Sequence, residues 1–292
     1  MNIIETKNLT KYYGDKKGIE GLTMSVKEGE IFGFIGPNGA GKSTTIRTLL
    51  SLIYKTSGEA KIFGLDTEKD NVKILENVGY VPSEVAYYDN MKPLELFNYS
   101  ASFYNKDCTE RIKYLCNRLN LDTSKKIEDM SLGNKKKVAI IVGLLHSPSL
   151  LILDEPTSGL DPLVQKEFFE LIIEENKKGV SVLFSSHILS VVQKVCTRVA
   201  IIKDGAIIET KNISDLRNES YKKISFTTLD DPKSIFKDFT GVSNYKADNN
   251  TISFVFKGNV DKIVKTISKY TISNIDIVEP SLEEIFLHYY GE

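Results

Sequence analysis

Near the start of the chain, the spacing of apolar and polar residues changes from one segment to the next, and each pattern predicts a different secondary-structure element. Ile3 to Leu9 alternates apolar and polar residues, which is the pattern of a half-buried strand. Met24 to Val26, before Lys27-Glu28-Gly29, predicts a second strand and its turn. The intervening Lys11-Tyr12-Tyr13-Gly14 is predicted as an exposed loop.

Continuous apolar runs follow, and they are typical of strands that are buried on both faces. They alternate with runs of helical period, which predicts an α/β fold with a mostly parallel sheet. A hairpin is predicted at Asp204-Gly205, between Val199 to Lys203 and Ala206 to Glu209. The other predicted strands are Glu30 to Ile35, Glu59 to Phe63, Gly79 to Pro82, Leu150 to Leu153 and Val180 to Phe184, and helices are predicted from Thr45 to about Ile53, Lys135 to Leu145 and Pro162 to about Asn176.

The segment from Pro93 to Leu121 has helical periodicity and a different texture, rich in Tyr, Asn and Leu. Leu94, Phe97, Ala101 and Tyr104 recur at helical spacing, so we expect them to pack in a core. We interpret the region from about residue 83 to residue 145 as a helical insertion in the α/β core.

Beyond about Asn218 the pattern restarts and predicts a separate small α+β domain, residues 218–292, after a first domain of residues 1–217. No nucleotide motif or catalytic cluster stands out in this second domain. Its predicted strands are Lys223 to Thr227, Ser243 to Ala247, Thr251 to Phe256 and Ile272 to Val278, and its predicted helices are Pro232 to Asp238, Val260 to Ser268 and Leu282 to Tyr290.

The strongest chemical signal is a phosphate-binding loop between a strand and a helix. The pattern G-x-x-x-x-G-K-[ST] is satisfied by Gly36, Pro37, Asn38, Gly39, Ala40, Gly41, Lys42, Ser43 and Thr44. Glycines let successive backbone N–H groups point inward, and a helix N-terminus adds its positive dipole end. Lys42 is predicted to contact the β- and γ-phosphates, and the Ser43 hydroxyl to ligate Mg²⁺.

Carboxylates at the end of a buried strand add candidates for hydrolysis. Asp154 is predicted to hold Mg²⁺, and Glu155 to accept a proton from a water that attacks the γ-phosphate. His187 follows the next buried strand, at the edge where ligands of open α/β sheets bind. It is predicted to orient Glu155, the γ-phosphate or the water.

Composition narrows the class of protein. Among 292 residues the formal net charge is −1, so a sequence-independent nucleic-acid binder is not expected. The three cysteines lack metal-ligand spacing and are expected to be small buried hydrophobes, in a reducing compartment. Lys135-Lys136-Lys137 is expected to be a solvated helix face. No apolar run approaches the roughly twenty residues of a membrane helix, and the N-terminus does not resemble a secretory signal.

Together these motifs resemble the ATP-binding subunit of an ABC transporter, over roughly Met1 to Leu216. The resemblance implies that Tyr13 stacks on adenine and that Asp154, Glu155 and His187 are the Mg²⁺ ligand, the catalytic base and the switch histidine. It also implies a head-to-tail dimer of two ATP-binding subunits that encloses two ATP molecules. The residues that would meet the partner's nucleotide are Ser131, Gly133 and Asn134 of the signature segment Met130 to Asn134, and Asp161 of the loop Ser158 to Asp161.

Two segments depart from the family pattern. Ser83 stands where the family usually has a glutamine that senses Mg²⁺ and water. Ser83 would act on Mg²⁺ through an added water, or Glu84 would replace it. In the signature, Leu132 replaces the first glycine and Asn134 the glutamine, while Ser131 and Gly133 remain.

The ending Glu279 to Leu287 resembles ATPases of the branch that serves drug and antibiotic-peptide export, immunity and sodium extrusion. The resemblance implies an ATPase that is peripheral at the cytoplasmic face of the membrane and drives a separate membrane-spanning partner. The expected docking face is the helical segment from about Ser83 to Met130. One alternative is an ABC-type ATPase acting on ribosomes or DNA, whose members typically carry two cassettes or a long coiled coil. A P-loop kinase or GTPase is a further alternative, disfavoured by the signature and the Ser158 to Asp161 loop.

Overall fold

The structure is a computed structural model that describes residues 1–84, 90–218, 221–230, 236–237, 239–280 and 284. The chain divides into two compact units, Met1–Lys211 and Asn212–Glu292. The predicted helices at Pro232 to Asp238 and Leu282 to Tyr290 lie largely outside the described residues. The domain boundary between residues 217 and 218 stays a prediction.

The first unit contains strands and helices in alternation. They are β1 (Asn2–Tyr13), β2 (Lys16–Lys27), β3 (Ile31–Ile35), α1 (Lys42–Leu49), β4 (Ser57–Ile62), β5 (Leu65–Asp66), α2 (Asn71–Leu75), β6 (Val78–Val81), α3 (Pro93–Ala101), α4 (Thr109–Arg118), α5 (Leu132–Leu144), β7 (Leu150–Asp154), α6 (Pro162–Lys177), β8 (Ser181–Ser186), α7 (Leu189–Val192), β9 (Arg198–Lys203) and β10 (Ala206–Asn212).

The early alternating strands form an antiparallel sheet of order β2-β1-β4-β5. The expected loop from Lys11 to Gly14 is wrong in its first part, because Lys11 to Tyr13 ends β1 and pairs with β2 down to Lys16. The strand predicted at Met24 to Val26 is likewise longer and begins at Lys16. Register shifts along the β1–β2 pair interrupt the two-residue period, which is why the pattern marked only part of each strand.

The buried apolar runs form a six-stranded sheet of order β10-β9-β3-β8-β7-β6. Strands β9, β3, β8, β7 and β6 pair in parallel, which confirms the predicted mostly parallel sheet. All residues of β3, β7 and β8 are buried. Because parallel strands share a direction, the segments after Ile35, Asp154 and Ser186 leave the sheet at one edge.

The helical insertion contains α3 and α4 and packs on α5. In α3 the side chains of Leu96 and Phe97 are buried, whereas Leu94 is 45% exposed, so its predicted place in the core is wrong. Pro93 opens α3, and the Glu95 carboxylate accepts a hydrogen bond from the Lys92 backbone N–H at 2.8 Å. The cap satisfies a backbone N–H at the start of the helix, and the buried face of α3 is the one that carries Leu96 and Phe97.

Helix α5 begins after Ser131, three residues before the predicted start at Lys135, and the Ser131 Oγ accepts a hydrogen bond from the Asn134 N–H at 3.4 Å. The expectation that Lys135 to Lys137 forms a solvated face is wrong, because Lys136 and Lys137 are buried. The helix enters the interior within its first turns.

The cysteines follow the expectation of burial only in part, since Cys108 and Cys196 are buried and Cys116 is partly exposed.

The second unit is a small α+β fold with a core of its own. In its sheet, Thr251–Lys257 lies between Val242–Asp248 and Tyr221–Thr228, and Ile272–Val278 pairs with the other side of Tyr221–Thr228. Phe226, Phe236 and Phe254 pack together with Ile263 in its core. No helix in the described part of the chain combines the length and the apolar character needed to cross a bilayer. The elements are α8 (Ile213–Asn218), β11 (Tyr221–Thr228), β12 (Val242–Asp248), β13 (Thr251–Lys257), α9 (Val260–Ile267) and β14 (Ile272–Val278).

Candidate active site

The phosphate loop lies between β3 and α1, at the carboxyl edge of the parallel sheet. Gly39 and Gly41 have φ angles of 83° and 108°, in the left-handed region that glycine adopts without strain. A Cβ on Gly36 would lie 2.5 Å from the Ile202 carbonyl oxygen, so close packing also requires this glycine. Helix α1 begins immediately after Gly41 and directs its N-terminus toward the loop.

Lys42 is 5% exposed and reaches back over the loop. Its Nζ donates hydrogen bonds to the carbonyl oxygens of Gly36 at 2.7 Å and Pro37 at 3.2 Å. The same Nζ lies 3.1 Å from Glu155 Oε1, so the predicted phosphate-binding lysine and the predicted base form an ion pair. An incoming phosphate would compete with this carboxylate for the ammonium group.

The two adjacent carboxylates diverge at the end of β7. Glu155 has a φ of 48°, and this sharp turn directs its side chain away from that of Asp154. Ser185 lies opposite Asp154 in the parallel register of β7 and β8. Its Oγ donates to Asp154 Oδ1 at 2.7 Å and accepts from the Glu155 N–H at 3.1 Å, which fixes both residues.

His187 contacts the predicted base directly. Its Nδ1 lies 2.9 Å from Glu155 Oε2, while Glu155 Oε1 faces Lys42. The histidine side chain is 41% exposed and the glutamate side chain 14% exposed. The carboxylate is therefore held between two groups that reach it from different elements, α1 and the end of β8.

The residues predicted to hold Mg²⁺ offer a suitable set of oxygen atoms. Asp154 Oδ2 is buried and has no hydrogen-bond partner among the described residues. An unpaired buried carboxylate oxygen is costly unless a cation or a donor reaches it. A cavity of about 250 Å³ has Ser43, Ser83 and Glu155 in its lining, together with the phosphate loop. Hydroxyl and carboxylate oxygens are the hard ligands that Mg²⁺ prefers, so the residues present fit this ion.

Tyr13 lies at the end of β1 and is 47% exposed. Its ring and the Thr44 methyl group both lie 3.0 Å from the point that a Cβ on Gly18 would occupy. The aromatic ring is thus brought next to the end of the phosphate loop. An exposed ring in this place can stack on a base.

The signature residues lie together at the start of α5. Ser131 caps α5, and Gly133 and Asn134 lie in its first turn. The Leu132 side chain packs against Gly159, where an added Cβ would lie 2.5 Å from Leu132 Cδ2. Asp161 caps α6 by accepting hydrogen bonds from the N–H groups of Leu163 and Val164, both at 3.0 Å. The signature segment therefore contacts the loop Ser158 to Asp161, and the hydrogen bonds of Ser131 and Asp161 cap the starts of α5 and α6.

Sequence reasoning missed two residues of this site. Ser185 was not among the predicted site residues, although the alignment of two parallel strand ends could have indicated its contact with Asp154. Lys136 was placed on a solvated face, whereas its Nζ donates to the carbonyl oxygens of Pro82 at 2.7 Å and Ser83 at 3.0 Å. Burial lowers the pKa of Lys136 to about 8, against the opposing effect of the Asp154 and Glu155 charges.

The comparisons with known proteins agree with this geometry. The ABC transporter family model matches residues 19–158. The bacitracin transport ATP-binding protein of Bacillus licheniformis is 35% identical over 99% of this chain and 97% of its own length. The linearmycin resistance ATP-binding protein of Bacillus subtilis is 34% identical, over 73% of this chain and 70% of its own. A solved ATP-binding subunit of an ABC transporter is 30% identical, with a TM-score of 0.70, and covers 74% of this chain and 92% of its own.

The chain therefore belongs to the ABC transporter family, as an ATP-binding and ATP-hydrolysing subunit. A solved dimeric bacterial ABC transporter cassette, 24% identical with a TM-score of 0.67, shares the fold and covers 72% of this chain and 98% of its own. The family assignment disfavours the kinase and GTPase alternative.

Proposed function

We propose that two copies of this subunit, or one copy and a related subunit, enclose Mg²⁺-ATP head to tail and hydrolyse it to drive export by a membrane-spanning partner. The single observation that carries the catalytic part is the contact chain Lys42–Glu155–His187, with distances of 3.1 and 2.9 Å. Lys42 and Glu155 line one cavity, and His187 contacts the carboxylate of Glu155, which supports the assignment of a phosphate-binding cation, a base and an orienting group.

In this proposal each of the predicted site residues has a defined task. Lys42 leaves Glu155 for the β- and γ-phosphates, and Glu155, held by His187, accepts the proton of the attacking water. Tyr13 would stack on adenine, Ser43 and Asp154 would hold Mg²⁺, and Ser83 would act on the ion through an added water. Mg²⁺, when bound, neutralises charge on the phosphate oxygens.

The signature explains why a second subunit is needed. Ser131 presents a hydroxyl, and Gly133 and Asn134 lie in the first turn of α5, where the helix N-terminus favours anions. The hydrogen bond that the structure describes for them, from the Asn134 N–H to Ser131 Oγ, stays within the signature. We therefore assign them to the γ-phosphate held by the partner subunit, with Asp161 at the crossing point of the interface.

Glu155→Gln tests both the base and the dimer. The change removes the proton acceptor and the negative charge that competes for Lys42, while it preserves the shape of the side chain. We expect ATP turnover to fall about 10²–10⁴-fold, with ATP binding retained or tightened. Light scattering should show the mass of the variant doubling with ATP and not with ADP. Turnover at the unmodified rate would contradict the assignment of the base.

The partner and the cargo are proposed from the relatives. The proteins named for bacitracin transport and linearmycin resistance suggest that this subunit serves export of a peptide or related antibiotic. We place it at the cytoplasmic face of the membrane, docked through the helical insertion. The first unit is the ATPase domain and the second is an accessory domain in this proposal.

Capture of the tagged chain from detergent-solubilised membranes of its native cell tests the partner. The capture is carried out in parallel with the Glu155→Gln variant in ATP and with the unmodified chain in ADP. We expect mass spectrometry to identify a polytopic membrane protein in stoichiometric amount. Ribosomal or DNA-associated proteins in its place would favour the alternative of an ATPase that acts on those assemblies.

A further inference from the structure

The buried lysine on the signature helix has no task in the mechanism above. Lys136 is 1% exposed, in the second turn of α5. A buried ammonium group is costly to desolvate, and its position near a helix N-terminus adds an unfavourable dipole interaction. Both costs must be offset by the groups that the ammonium contacts.

Those groups belong to the segment that carries Ser83. Lys136 Nζ donates to the carbonyl oxygens of Pro82 and Ser83 at 2.7 and 3.0 Å. The charges of Asp154 and Glu155 also favour the ammonium form of Lys136. Two of its three N–H donors thus hold successive carbonyls immediately after β6, where the chain leaves the parallel sheet for the helical insertion.

Ser83 lies in the lining of the same cavity as Ser43 and Glu155. A serine side chain is short, so the place of its hydroxyl depends closely on its backbone. A longer side chain could adjust through its own rotamers. Fixing the two carbonyls therefore fixes the position from which the Ser83 hydroxyl can act.

We infer that Lys136 is a positioning residue for ATP hydrolysis: its ammonium group ties the Pro82–Ser83 backbone to α5 and so places the Ser83 hydroxyl in the phosphate-loop cavity. The inference rests on the proposed role of Ser83. Because α5 also begins at the signature, a displacement of this helix on dimer closure is passed to Ser83 through the same two hydrogen bonds.

The test compares Lys136→Met with Lys136→Arg in the purified full chain. Methionine keeps the apolar stem and removes every donor, whereas arginine keeps donors at similar reach. We expect Lys136→Met to lower kcat about 10-fold, the effect of losing charge-assisted hydrogen bonds, with the Kd for ATP changed less than about 3-fold. Lys136→Arg should recover most of the kcat. Lys135→Met, on the neighbouring lysine of the same helix, is the matched control and should leave kcat unchanged.

A double-mutant cycle with Ser83→Ala separates positioning from a structural role. If Lys136 acts through Ser83, Lys136→Met causes little further loss of kcat in the Ser83→Ala chain. Equal losses in both backgrounds overturn the inference and leave the role of Ser83 intact. An unchanged kcat in Ser83→Ala alone overturns the role of Ser83, and the inference with it. If Lys136→Met does not fold, as judged by circular dichroism, Lys136→Gln takes its place in the cycle.

Discussion

At the scale of single residues, Ser185 determines how the two carboxylates are presented. One hydroxyl donates to Asp154 and accepts from the backbone of Glu155. The bond to Asp154 Oδ1 leaves Oδ2 as the free oxygen, and the bond to the Glu155 N–H stabilises the left-handed backbone there. Ser185 therefore orients the proposed Mg²⁺ ligand without contacting the ion.

Ser185→Ala should weaken the use of Mg²⁺ more than the binding of ATP. Loss of a hydrogen bond to a metal-ligating carboxylate typically lowers metal affinity about 10–100-fold, so the Mg²⁺ concentration for half-maximal ATP turnover should rise by about 10-fold. Ser181→Ala, at the opposite end of β8, is the matched control, because Ser181 Oγ only accepts from the Gly29 N–H. A Mg²⁺ dependence that is equal in both variants would contradict the orienting role.

The residues that could be predicted from the sequence are those whose spacing is set by local chain geometry. The phosphate loop and the Asp154-Glu155 pair are of this kind. Lys136 and Ser185 were not predictable in the same way, because their partners are 54 and 31 residues away in sequence. A lysine triplet on a helix gives no sign of which ammonium group will find buried carbonyls.

At the scale of elements, apolar runs indicated the parallel strands well and the helical faces less well. Strands β3, β7 and β8 are buried throughout, so their composition alone marks them. Helical spacing alone does not determine which side of α3 faces the core, and the buried side carries Leu96 and Phe97. For this reason Leu94 was expected inside and lies outside.

A buried histidine joins two parts of the helical region and makes the stability of the fold depend on pH. His146, two residues after α5, is 1% exposed, and its ring stacks on Tyr104 with centroids 3.9 Å apart. Burial, assisted by the Lys106 charge, lowers the pKa of His146 from 6.5 to about 4. The folded chain therefore holds a neutral ring at pH values where the unfolded chain is protonated.

The free energy of unfolding should consequently fall as the pH falls from 6.5 to 4, because the unfolded state binds the extra proton. A shift of this size corresponds to about 3 kcal/mol when fully developed. His146→Phe keeps an aromatic ring for the stack and cannot be protonated, so its loss of stability over this range should be smaller by about that amount. Urea unfolding at a series of pH values measures the difference. Parallel pH profiles for the two chains would contradict a neutral buried His146.

At the scale of the whole molecule, the chain contains two units with separate hydrophobic cores. The restart of the strand and helix pattern after Asn218 could be predicted from the sequence, because a new core needs new apolar faces. All residues assigned to the nucleotide lie in Met1–Lys211. Ligand binding stabilises the unit that holds the ligand, so ATP should distinguish the two units in the intact chain.

Calorimetry of the full chain tests this division. In the Glu155→Gln background, ATP at about 100 times its Kd should stabilise the transition of the first unit by about 2.7 kcal/mol. Phe254→Ala removes a ring that packs on Phe226 and Phe236 in the second core, with centroids 6.4 and 5.7 Å away. It should destabilise the second transition by about 3–5 kcal/mol and leave the ATP-dependent one in place. If ATP and Phe254→Ala shift one common transition, the two cores unfold as a single cooperative unit, since only a shared transition responds to both changes.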